Sequence, residues 1–147
     1  MELEKNLWTQ EDFENMGWHD NKIHAMAFDN EKIELSFDID YICKWEPKKK
    51  HILFWVAPAT LIFTNVYDIN ISAYQPDLTI LDIERDSPVT PKNAAHIEGP
   101  FEYDWIITTT SGEITFKAVG FRQLIRATPI RIRNQNFSLT ERGGITF

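Results

Sequence analysis

The chain has 147 residues, 43% hydrophobic and 13% aromatic, with a net charge of −7. That length suits one domain, residues 1–147, large enough to build a core without metals or disulfides. An acidic chain is a poor nonspecific ligand for nucleic acid. The longest apolar run, Ile52 to Phe63, is too short for a membrane span and is interrupted by Pro58.

Two features point to a cytoplasmic protein. Cys43 is the lone cysteine, so no intrachain disulfide forms. The first residues lack the basic and apolar regions of a signal peptide. The charge is unevenly placed: residues 1–116 carry 9 basic and 21 acidic side chains, net −12, while residues 117–147 carry six basic and one acidic, net +5. The basic segment is expected to complement the acidic body within the fold rather than to bind an external anion.

In chain order, the first signal is Thr9 with Asp12 three residues on, a capping arrangement followed by acidic residues that suit a helix N-terminus. It predicts one short N-terminal helix over Gln10 to Met16, with Trp8 and Phe13 turned to the core. Lys22 to Phe28 reads as a strand and Asp29-Asn30-Glu31 as a turn. Lys32 to Asp40 then alternates: Ile33, Leu35, Phe37 and Ile39 on one face; Glu34, Ser36, Asp38 and Asp40 on the other. That pattern predicts a hairpin with one buried face and one solvated acidic face. Pro47-Lys48-Lys49-Lys50 reads as a loop, Ile52 to Val56 as a strand that Pro58 interrupts, and Thr60 to Val66 as its resumption. Asp68 to Ala73 and Leu78 to Glu84 are further strands. Arg85 to Pro100, with three prolines, reads as the longest loop. Tyr103 to Thr109 and Glu113 to Val119 form a hairpin about Thr110-Ser111-Gly112. Phe121 to Arg126 is ambiguous, and Ile130 to Arg133 is short and extended. Many short strands with turn punctuation predict a mainly β domain, an antiparallel β-sandwich or barrel-like fold.

Few constellations carry chemistry. Trp18-His19-Asp20 with His24 places two imidazoles and a carboxylate within a short span, as ligand- or partner-binding candidates. On a continuous strand His19 and His24 would point to opposite faces, so only a turn at Asp20-Asn21 brings them together. Asp38 and Asp40 lie about 6.5–7 Å apart on one strand face, a spacing that suits an acidic partner-binding face and also falls within the glycosidase range. Trp18, Trp45, Trp55 and Trp105 either pack the core or line a ligand pocket. The terminal Thr140-Glu141-Arg142-Gly143-Gly144 reads as a tight turn, with Glu141 and Arg142 available for structural ion pairs. No nucleophile motif and no cofactor signature occurs, and Cys43 reads as a buried small hydrophobe.

Trp18-His19-Asp20-Asn21-Lys22-Ile23-His24, followed by Glu34-Leu35-Ser36-Phe37-Asp38 and by Ala59-Thr60-Leu61-Ile62-Phe63-Thr64-Asn65-Val66, resembles small, mostly uncharacterised bacterial families. Some of these are assigned as immunity proteins of toxin systems. The resemblance covers about the first half of the chain. It implies a non-enzymatic domain that binds a partner protein, and it carries no catalytic residues over.

The sequence therefore leads to a non-enzymatic domain that binds a basic protein partner through the acidic face at Asp38 and Asp40, without cofactor, metal, nucleic acid or membrane. The alternative is a small-ligand-binding domain or hydrolase with an aromatic-lined pocket and the His19, Asp20 and His24 cluster. A homodimer on an exposed sheet edge is a third expectation.

Overall fold

The structure is a computed structural model and describes residues 1–90 and 101–147. Its elements are β1 (Leu7–Thr9), a 3-10 helix (Gln10–Asn15), β2 (Lys22–Asp29), β3 (Glu34–Pro47), β4 (Ile52–Thr64), β5 (Tyr67–Ala73), β6 (Leu78–Val89), β7 (Glu102–Thr109), β8 (Gly112–Ala118), β9 (Gly120–Ile125), β10 (Ile130–Ile132) and α1 (Leu139–Arg142). The strands form a mainly antiparallel sheet in the order β1-β9-β4-β3-β2-β6-β7-β8-β5, with β10 against β4.

The long β3–β4 hairpin is the backbone of the fold. Leu35, Phe37 and Ile39 of β3 lie opposite Phe63, Leu61 and Ala59 of β4, and none of these side chains is exposed. They meet residues of β7, β8 and β9 across the core. The Phe63 ring lies 4.6 Å from Phe116, 5.1 Å from Trp105 and 5.9 Å from Phe121. The part of the sheet built on β6, β7 and β8 thus shares one core with the β3–β4 hairpin. The link between the halves is short: β2 pairs with β6 only at Lys22–Thr79 and Ile23–Leu78.

Several local expectations need correction. The N-terminal segment does not form an α-helix. Residues 10–15 wind as a 3-10 helix, closed by Met16 N donating to Phe13 O. The tighter winding rises farther per residue, which suits a span that must cross from the β1 edge to the buried Trp18. The capping box of Thr9 and Asp12 is present, and Trp8 and Phe13 pack against the core. Pro58 does not interrupt β4. β10 leaves β4 at Val56 and β9 joins it at Ala59, so Pro58 lies between two ladders where its missing N–H is not required. Its carbonyl accepts from Arg126 N at 2.9 Å. The expected loop at 85–100 begins as strand. β6 runs on to Val89 through an irregularity at Ser87, whose φ is 57°. The rest of that expected loop, 91–100, lies outside the described residues.

The hairpin at Thr110-Ser111-Gly112 forms as expected. Gly112 has φ 132°, and a Cβ there would fall 1.8 Å from the Ser72 carbonyl oxygen. Only glycine therefore lets β5 lie against the start of β8.

Candidate functional site

Asp38, Asp40 and Ile42 share the outward face of β3, and the structure corrects the expectation that this face is solvated. Neither aspartate has exposed surface. The C-terminal segment crosses over them. Phe137 packs into a small cluster with Ile42, Phe54 and Val56, and the single turn of α1 follows, capped by Ser138 and Glu141 and stopped by left-handed Gly143. Arg142, with no exposed side-chain surface, reaches between the two carboxylates: Nη1 lies 2.7 Å from Asp38 Oδ2, and Nε lies 2.9 Å from Asp40 Oδ1.

Every carboxylate oxygen in this cluster is engaged. Asp38 Oδ1 also accepts from Arg126 Nη2 at 2.8 Å, and Oδ2 from Thr146 N at 2.8 Å. Asp40 Oδ2 accepts from Phe137 N at 2.8 Å and lies 2.7 Å from His24 Nε2. An extra residue in β2 between Ile23 and Ala25 puts His24 on this face. Both Asp38 oxygens and Asp40 Oδ2 take two partners each, and Asp40 Oδ1 takes Arg142 Nε, so the two carboxylates are spent on holding the C-terminal segment. The cluster is a structural joint. It is one part of a wider pairing of the basic C-terminal segment with the acidic body. Five of the six basic residues after 116 form ion pairs: Lys117 with Asp104, Arg122 with Glu34, Arg126 with Asp38, Arg131 with Glu46, and Arg142 with Asp38 and Asp40.

Burial alone would raise the Asp38 carboxyl, but hydrogen bonds from Arg142, Arg126 and Thr146 N outweigh it and hold the group below its ordinary value. Such a carboxyl favours the fold above the unfolded value of about 4 and loses that contribution as pH falls through the lowered folded value. The urea midpoint is therefore expected to stay level from neutral pH to about 5 and to fall below about 4. Asp38→Asn, measured over the same range, should show a shallower acid decline.

Of the other predicted residues, His19 and Asp20 lie together, with His19 Nε2 3.5 Å from Asp20 Oδ1, but His24 does not join them. His19 is exposed, with Nδ1 3.0 Å from Leu81 O and its ring stacked 6.2 Å from Trp45. Asp20 adopts φ 67° at the turn and accepts from Gln135 Nε2 at 2.8 Å. His24 faces Asp40 instead of His19. Among the described residues, no group of three His, Cys, Asp or Glu side chains is placed to hold a metal ion. Trp18 is buried, packs on Phe13 and Phe121, and donates from Nε1 to Gln123 Oε1 at 2.8 Å. Trp105 is a core residue, whereas Trp45 and Trp55 lie toward the end of the β3–β4 hairpin. The four tryptophans therefore do not line one pocket: Trp18 and Trp105 share the main core, and Trp45 and Trp55 lie apart from it. Cys43 is half-buried, and burial pushes its thiol up to about 11.

A solvated acidic row does exist, on β6. Asp82, Glu84 and Asp86 occupy alternate positions and are all exposed. Arg85, the one cation of that strand, points to the other side. Its guanidinium lies 4.5 Å from the Phe13 ring centre and 4.6 Å from that of Tyr103, so it does not neutralise the row. No described Lys, Arg or His forms an ion pair with these three carboxylates. Asp82 crowds Glu84 by sharing a hydrogen bond and by like-charge repulsion, and this pushes the Glu84 carboxyl up. Beside the row, Phe13, Ile83, Arg85 and Ile106 help to line a cleft of about 500 Å³.

No protein family, curated protein or solved structure matches the chain. Its own residues must carry the functional reading. The row on β6 was readable in Leu81-Asp82-Ile83-Glu84-Arg85-Asp86, which alternates as clearly as β3 does. What separates the two strands is the distant segment that covers one of them.

Proposed function

We propose that this protein is a non-enzymatic binding domain that docks a basic protein partner on the acidic row of β6. The observation that carries this reading is the placement of Asp82, Glu84 and Asp86 on one exposed face, with their own strand's arginine turned away. Crowded like charges work against the fold locally, and a cationic partner relieves that repulsion and is steered by it. The resemblance to small, mostly uncharacterised bacterial families, some of them assigned as immunity proteins, fits the same class of function, with a basic toxin domain as the partner. A sandwich or barrel-like arrangement of the sheet would hold the row rigid, and a lone, half-buried cysteine suits a cytoplasmic setting.

A lysine-rich synthetic peptide serves as the probe. The unmodified protein should bind it with an affinity that falls steeply with salt. The triple variant Asp82→Asn, Glu84→Gln, Asp86→Asn should lose about tenfold or more in affinity while unfolding at the same temperature or higher. Binding should also weaken as pH falls, starting above the ordinary carboxylate range, because Glu84 takes up its proton early. Full affinity in the triple variant would sink the proposal.

A further inference from the structure

A second surface is built differently. β2 pairs with β6 only as far as Ile23, so from His24 to Asp29 its edge away from β3 has no ladder partner among the described residues. β5 pairs only with β8, so its other edge is likewise unpaired among the described residues. Residues of both strands wall one groove of about 470 Å³, among them Ile23, Met26, Ile71, Ala73, Tyr74 and Leu78.

Two side chains in that groove, Ile71 and Met26, face the core, yet they remain wet. Ile71 stands opposite Ile114, which has no exposed surface, so both lie on the core side of the sheet; Ile71 is nevertheless 41% exposed. Met26 stands opposite fully buried Phe37 and is only partly buried. Each is left uncovered because, among the described residues, no strand pairs beside it on that edge. The groove is thus a gap in the wall of the core, bordered by backbone donors and acceptors and floored by apolar side chains. An edge of this kind normally carries lysine, proline or a covering segment. β5 carries neither lysine nor proline; Asp68 and the irregularity between Tyr67 and Asn70 guard its first half, but Ile71 stands exposed beyond them.

We propose that this groove accepts an extended segment of another protein, with small or branched apolar side chains at alternate positions, which completes the ladder by strand addition. The named lining side chains are uncharged, and His24, which also borders the groove, is tied to Asp40. The inward face of the occupant is accordingly apolar and neutral. A second copy of this chain is disfavoured, because two chains that each carry a net charge of −7 repel on approach. The site is separate from the acidic row, and the two fail or succeed independently.

The probe is a seven-residue peptide, the length of β5, alternating valine and serine, compared with the same peptide N-methylated on one backbone edge. The unmethylated peptide should bind and slow amide exchange at residues 24–28 and 69–73. The methylated peptide should bind about tenfold more weakly or worse, because it lacks the ladder donors. Ile71→Asp should abolish binding, and the triple variant of the acidic row should leave it unchanged. If Ile71→Asp fails to fold, the comparison of the two peptides on the unmodified protein still decides. Equal binding of both peptides, no binding of either up to about 1 mM, protection elsewhere, or a dimer that the peptide dissolves would each overturn the proposal.

Discussion

Arg142→Met is expected to cost about 3–5 kcal/mol of folding stability. The guanidinium has no exposed surface and satisfies oxygens of two equally buried aspartates. Removing it leaves Asp38 with Arg126 and Thr146 N, and Asp40 with His24 and Phe137 N, so two buried carboxylates share one arginine and Asp40 loses its guanidinium partner. The loss should appear as a lower urea midpoint with little change in slope. A variant that adds Asp38→Asn and Asp40→Asn should recover part of it, because the damage lies in the stranded charge and not in the missing contact. If Arg142→Met unfolds at the same urea concentration as the unmodified protein, the C-terminal segment does not hold the fold in this way.

Trp105→Ala should be of similar size, about 3–5 kcal/mol. The ring is fully buried and lies within 6.0 Å of the rings of Phe13, Phe63, Tyr103 and Phe121. Its Nε1 donates to Ala118 O at 3.0 Å. Truncation would empty the centre of this aromatic group and remove one of the rings that hold Arg85. Trp105→Phe separates the contributions. It keeps most of the apolar area but leaves the Ala118 carbonyl without that donor, for a smaller loss of about 1–3 kcal/mol. Equal midpoints for the Phe and Ala variants would show that the hydrogen bond, rather than packing, dominates at this position.

Much of the strand plan was legible in the chain, since alternation and turn chemistry are local properties. Lys22 to Phe28, the β3 alternation, the hairpin at Thr110-Ser111-Gly112 and the capping pair Thr9 and Asp12 all followed from short-range patterns. The misreadings arose where a distant partner decides. Pro58 breaks an isolated strand but sits comfortably between two ladders. Asp38 and Asp40 read as solvated because nothing within ten residues reveals the arginines at 126 and 142. The expected complementarity between the acidic body and the basic tail was sound as a statement about charge, yet it did not identify which acids would disappear beneath the tail. The groove beside β5 was out of reach for the same reason. An unpaired edge depends on what fails to arrive, and the residues of the edge carry no trace of it.

The Arg142 joint also sets an order of assembly. It links Asp38 and Asp40 to a residue more than a hundred positions later. At a synthesis rate of about 5–20 residues per second, the two aspartates wait several seconds for that arginine to be made. During that interval the β3–β4 hairpin can pair, but its outer face must stay hydrated, because burying those carboxylates alone is too costly. Closure of the fold is therefore a late, long-range event, and a nascent chain halted before residue 142 should remain open on that side and depend on chaperones until it is completed.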